Sequence, residues 1–264
     1  VVDGNLNFVS SNASDLKYST NFTINATGIV NNTGSIEKSV GAGTFTINGA
    51  GTYIHNPYNN VLLDESIFYA SNENFSTTSN ITIMKWFDIS IPVGDPTRVQ
   101  TSNFGNLTLS VNTTGIRWNQ KGYFSVNRIK GTLTITDGII QMDDGQGATT
   151  QLTLQTVVIN NTGSLIVRSG ISAPFTFTTG AFTDVSTSPN ATVLADTTFC
   201  LYQWNAAGNV QLGHNFYGML GTGIETGGDL RINVTGNLTI SGSPTCLFVT
   251  QCDAPLRLTV TGNT

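Results

Sequence analysis

Three aspartates, Asp137, Asp143 and Asp144, surround the glycines of DGIIQMDDGQG, residues 137–147. Carboxylates at the bends of a β-solenoid can supply the all-oxygen shell that Ca²⁺ requires, so calcium is the one cofactor these residues suggest. Their spacing matches no established calcium loop, and Asp-Gly is a favoured turn dipeptide, so the turn reading carries more weight. Asp88 and Asp95, either side of IPVG, carry the same two readings.

Hydrolysis of a polysaccharide would need paired carboxylates about 5 to 9 Å apart, and no motif selects such a pair. His55 and His214 lie among aromatic residues, without a serine or cysteine on a recognisable nucleophile elbow. Each reads as a hydrogen-bonded loop histidine. No catalytic or metal-binding residue is therefore assigned, and an enzyme is not the preferred class. Trp86, Trp118 and Trp204 fall at unrelated positions, which leaves no evident platform for stacking sugars.

Cys200, Cys246 and Cys252 make an odd count, with neither a C-x-x-C pair nor a Cys/His cluster to suggest zinc. One disulfide among the three plus a spare thiol is expected in an oxidising compartment. Three buried thiols acting as small hydrophobes is the alternative.

These residues must be held by strands. Nine stretches repeat an apolar residue, a threonine and a second apolar residue, with first apolar positions at Phe22, Phe45, Ile81, Leu107, Leu133, Leu152, Phe175, Leu238 and Leu258. Alternation of this kind makes one face of a strand aliphatic and the other hydroxylated. Most steps between copies approach one coil of a β-solenoid, and the long step from Phe175 to Leu238 has room for weaker strands around 191–194, 210–212 and 230–232. A second theme, Ile or Val followed by Asn-x-Thr-Gly, supplies corners: Asn tolerates left-handed backbone and Gly takes positive φ. Twelve Asn-x-Ser/Thr sequons occur, most of them generated by these two repeats, and they read first as turn chemistry and second as glycan acceptors.

The expected fold is all-β: a single right-handed parallel β-helix, or β-solenoid, over residues 1–264. Two regions break the rhythm, an excursion near 52–80 and an irregular region near 198–229, and binding is expected in such interruptions or at the open ends. A chain stopping at VTGNT offers an uncapped end that invites pairing with another chain.

Only 10% of residues are charged and the net charge is −5, with the basic residues scattered singly. Nucleic acid has no patch to bind, so it is excluded as a partner. No run approaches eighteen apolar residues, and VVDGNLNFVSS has neither a basic start nor an apolar core. The expectation is a soluble chain, not inserted in a membrane, from which any export signal has been removed, or else a segment cut from something longer.

The phrases GTFTINGAGTYIHN (43–56), FGNLTLSV (104–111), GTLTITDGII (131–140) and GDLRINVTGNLTISGS (228–243) resemble the repeat regions of large secreted, adhesin-like surface proteins of Bacteroidetes exported by the type IX system. The resemblance runs over most of the chain, although the C-terminal sorting domain of such proteins is absent. It implies right-handed parallel β-helices serving as stalks or adhesive shafts at the cell surface. It also implies an O-glycan acceptor at Thr197, because Asp196-Thr197-Thr198 is similar to the short acidic-hydroxyl motif modified in that phylum.

The function expected is thus an extracellular structural or adhesive surface protein whose shaft assembles head to tail into a filament or sheath. Its partners would be copies of itself, other surface proteins or glycans. The alternative is a β-helix protein that binds or degrades polysaccharide.

Overall fold

In a computed structural model the chain is a parallel β-solenoid, with no helix among the described residues. The structure describes residues 1–9, 15–18, 20–38, 43–56, 73–84, 103–111, 117–121, 129–143, 151–168, 174–197, 201–220, 229–241, 246–250 and 256–264. Two compact units form, one of residues 1–112 with 129–131 and the other of 113–128 with 132–264.

The first unit contains β1 (Asn5–Phe8), β2 (Asp15–Tyr18), β3 (Phe22–Ile24), β4 (Ile29–Asn32), β5 (Ser35–Lys38), β6 (Phe45–Ile47), β7 (Thr52–His55), β8 (Glu73–Phe75), β9 (Asn80–Ile83) and β10 (Asn106–Ser110). One face stacks β1, β4, β7, β9 and β10 in parallel, with Leu6, Val30, Tyr53, Ile81 and Leu107 in register. A second stacks β3, β6 and β8, and a third β2 and β5. Residues on one ladder lie 23 to 28 positions apart, one coil each. The second face carries an aromatic column, Phe22, Phe45 and Phe75, continued by Phe104, with ring centroids 5.6, 5.2 and 6.0 Å apart. Such contacts add to the area each ring buries.

The second unit contains β11 (Arg117–Lys121), β12 (Thr132–Asp143), β13 (Gln151–Arg168), β14 (Phe175–Asp184), β15 (Thr192–Thr197), β16 (Tyr202–Ala206), β17 (Val210–Leu212), β18 (Phe216–Leu220), β19 (Leu230–Val234), β20 (Leu238–Ile240), β21 (Cys246–Thr250) and β22 (Leu256–Val260). Its coils have three faces, and β12, β13 and β14 are long because each bends from one face to the next. Leu152, Phe177, Trp204, Ile232 and Leu258 form one ladder. Leu133, Val157, Phe182, Val210 and Leu238 form a second.

All nine threonine-centred repeats are strands or parts of strands, and the weaker strands expected near 192, 210 and 230 are β15, β17 and β19. The steps between repeats are not the coil steps, however. Leu133 and Leu152 lie on different faces, and the register partner of Phe45 is Glu73 rather than Ile81.

The two expected interruptions are narrower than the sequence suggests. Tyr53, His55 and Phe75 are buried on β7 and β8, leaving 57–72 outside the described residues. In the 198–229 region, β16, β17 and β18 bury Tyr202, Trp204 and Phe216, and Trp204 Nε1 donates to Thr179 Oγ1 at 3.1 Å. Aromatic side chains among Asn and Gly mimic loop composition, yet at inward positions they fill the core like any large apolar residue.

The corners also differ in cause. Among the described residues only Asn161, Gly49 and Gly138 have positive φ. At Gly236 the requirement is instead close approach: a Cβ there would lie 2.5 Å from the carbonyl carbon of Gly208, one coil earlier. Coil-to-coil hydrogen bonds then fix the stack. Asn237 N donates to Asn209 Oδ1 at 3.0 Å and Asn263 N to Asn237 Oδ1 at 2.9 Å.

Candidate functional site

The polar groups inside the second unit gather where β14 runs into DVSTSPN, residues 184–190. Asp184 occupies an inward ladder position with Ile159 and Leu212 as register partners, and it is fully buried. His214, also buried, places Nδ1 3.2 Å from one carboxylate oxygen and 3.3 Å from the other. Its Nε2 lies 2.9 Å from the Ser188 carbonyl oxygen. Burial raises the Asp184 pKa above the ordinary carboxylate value, opposed by hydrogen bonds from Thr192, Ser186 and His214 and by the charge of His214.

An Asp, a His and two serines invite comparison with a nucleophilic triad, but the geometry forbids it. Ser186 Oγ lies 3.1 Å from the Asn161 carbonyl oxygen and 2.7 Å from that of Gly163, and so spends its proton on the main chain. Ser188 Oγ accepts from Asn190 N, and the outer nitrogen of His214 is held by a carbonyl rather than a hydroxyl. A base must reach the nucleophile it activates. The cluster is a structural lock that satisfies the backbone of an irregular corner.

A second buried network crosses the first unit. Asn32 Nδ2 donates to Tyr53 Oη at 2.9 Å, and Tyr53 Oη lies 3.2 Å from His55 Nδ1. With its oxygen accepting from Asn32, Tyr53 can donate onward only to an unprotonated Nδ1. Burial agrees, pushing His55 down to about 4 and the Tyr53 hydroxyl up. Tyr18 is raised as well, by burial first and then by the charge of Glu73.

Of the residues suggested for calcium, Asp137 alone has a described side chain. Asp137 Oδ1 accepts from Gly138 N at 2.9 Å and from Thr162 Oγ1 at 2.7 Å, which is turn chemistry. Asp143 ends β12, with its side chain outside the described set, and Asp144, Asp88 and Asp95 lie outside the described residues. No cluster of three or more His, Cys, Asp or Glu suited to a metal occurs among the described residues. Cys246 sits on β21 in register with Phe216, but its side chain, Cys200 and Cys252 are outside the described set. The backbone of Thr197 closes β15, and its side chain is likewise undescribed.

Two features of the second unit had no place in the expected site. On the outward face of β19 and β22, Arg231 and Arg257 are register partners on neighbouring coils. Arg231 Nε donates to Asp229 Oδ2 at 2.7 Å, and Arg257 Nε approaches the same oxygen at 3.5 Å. The repeat LRINVTGN (230–237) and LRLTVTGN (256–263) was the available signal. At the far coil, Ile240 and Leu258 continue the core ladders of Leu212 and Ile232, yet they are 52% and 44% exposed.

Comparison with known proteins finds no matching family model, curated protein or solved structure. No helix among the described residues is long and apolar enough to cross a membrane.

Proposed function

We propose that this chain is an extracellular structural and adhesive surface protein, a β-solenoid shaft whose coils stack head to tail on copies of itself. What supports the reading is that the core ladders keep register from coil to coil, so a further coil adds without a change of register. Ile240 and Leu258, on the last described strands of two such ladders, are half exposed. In the first unit, β1 pairs only with β4 among the described strands, and Leu6 and Phe8 lie half-buried over Val30 and Asn32. Val1 and Val9 beside them are 81% and 76% exposed.

An open strand edge above an exposed aliphatic ladder is a template for another coil. Covering Ile240 and Leu258 would contribute on the order of 1 kcal/mol each, and strand pairing would supply direction and register. The scarcity of charged residues leaves little repulsion to keep copies apart. Sedimentation of the whole chain over a range of concentrations tests the reading. Growth into large species supports it, and a monomer at every concentration rejects it.

A further inference from the structure

We propose that the outward face of β14, β16, β19 and β22 binds a linear anionic polysaccharide, carboxylated or sulfated, held by the paired guanidinium groups of Arg231 and Arg257. The proposal supplies a partner for the adhesive role above and rests on it for its biological setting, although the chemistry stands on its own observations.

Register places Thr176, Gln203, Arg231 and Arg257 in one outward row and Thr178, Asn205, Asn233 and Thr259 in the next. Like charges directly opposite on neighbouring strands destabilise a sheet, and this chain has only 11 Lys and Arg in all. Two of them nevertheless occupy one row on successive coils. Asp229, 13% exposed, offsets the repulsion through a single oxygen that faces both Nε atoms.

Arg231 donates to Asp229 through Nε, whereas Arg257 Nε makes only an ion pair with the same oxygen. Arg231 is 42% exposed and Arg257 63%, so both present donors to water. The fork geometry of arginine suits carboxylate and sulfate oxygens. Beside the arginines, Asn205 Oδ1 accepts from Gln203 Nε2 at 2.9 Å and from Asn233 Nδ2 at 2.8 Å. This fixes an amide row able to exchange hydrogen bonds with sugar hydroxyls. Neighbouring coils are about 4.8 Å apart, close to the length of one pyranose, so an extended glycan along the stack can offer an acid group to each arginine.

A nucleic acid is the poorer fit. No aromatic side chain stands in the two outward rows for bases to stack on.

The test is affinity electrophoresis of the whole chain through gels containing polygalacturonate, dextran sulfate, neutral dextran or single-stranded DNA. Retardation is expected in one or both acidic glycans and not in neutral dextran. Arg231→Gln with Arg257→Gln should weaken it about tenfold or more, the scale of one lost charge-assisted contact. The double Lys variant, which keeps charge without the fork, should fall between. Unchanged melting of the variants shows that the fold is intact.

No retardation in either acidic glycan, equal retardation of the double Gln variant, or equal retention by single-stranded DNA would overturn the proposal. Sedimentation of the same variants separates the two readings. Glycan binding by a chain that never assembles sinks the filament and leaves this site standing, and assembly without glycan binding does the reverse.

Discussion

His214 faces both oxygens of the Asp184 carboxylate at 3.2 and 3.3 Å, with its other nitrogen 2.9 Å from a main-chain carbonyl that can only accept. Nε2 therefore carries a proton, and one further proton must lie between Nδ1 and the carboxylate. Burial raises the Asp184 pKa, so the folded chain keeps the carboxyl proton to a higher pH than the unfolded chain does.

Asp184→Asn keeps a donor towards Nδ1 and removes the titration. It is expected to cost less than about 1 kcal/mol of unfolding free energy, while Asp184→Ala, which strips His214 of its partner, should cost about 3 kcal/mol. A folded pKa raised above the unfolded value means that stability falls as pH rises from the ordinary carboxylate range through the folded pKa. That decline should vanish in Asp184→Asn. Denaturant titrations across pH check this, and equal damage from Asn and Ala would show an ionised pair.

His55 has the opposite dependence. Its folded pKa of about 4 lies below the ordinary 6.5, so the unfolded chain takes up the proton first. Stability is expected to fall by roughly 3 kcal/mol as pH drops from 6.5 to about 4. His55→Asn offers Tyr53 an acceptor that does not titrate, and it should flatten this window in thermal melts at the cost of a small cavity. An undiminished slope in the variant would assign the dependence to another group.

Gly236→Ala forces a Cβ against the Gly208 backbone and should cost about 1 to 3 kcal/mol. Gly4→Ala meets nothing within 4 Å and should stay within about 0.5 kcal/mol of the parent. Paired melts of the two variants check that coil spacing, rather than glycine content, sets the requirement.

Much of the architecture was legible because a threonine between two apolar residues can serve only a half-buried strand, and each of the nine copies is one. Ladder membership was hidden. Stacking asks only that inward side chains fit, so Tyr53 pairs with Val30 and Trp204 with Ile232, and no shared motif marks the partnership. Tyr53, His55 and Phe75 in the first interruption, and Tyr202, Trp204 and Phe216 in the second, gave no sign of being core residues for the same reason. Asp184 was invisible because a lone aspartate before Val185 looks like a turn until its ladder partners are known. The arginine row was readable, since Arg231 and Arg257 hold one position in two copies of Leu-Arg-x-x-Val-Thr-Gly-Asn. The glycines were noticed, but close approach between coils is a property of the stack and leaves no local trace.

Ile240→Lys places a charge on the exposed end of a core ladder whose neighbouring coil is already complete. Melting should change little, within about 0.5 kcal/mol for an exposed position, while association is lost. Sedimentation velocity of parent and variant at matched concentrations checks the separation. A variant that associates like its parent would place the contact elsewhere.

The most direct test of the central claim is electron microscopy of the purified whole chain as its concentration is raised. Head-to-tail stacking predicts unbranched filaments of one solenoid's width, giving a reflection near 4.8 Å along the filament axis from the spacing of the coils. Dispersed single particles at every concentration would contradict it.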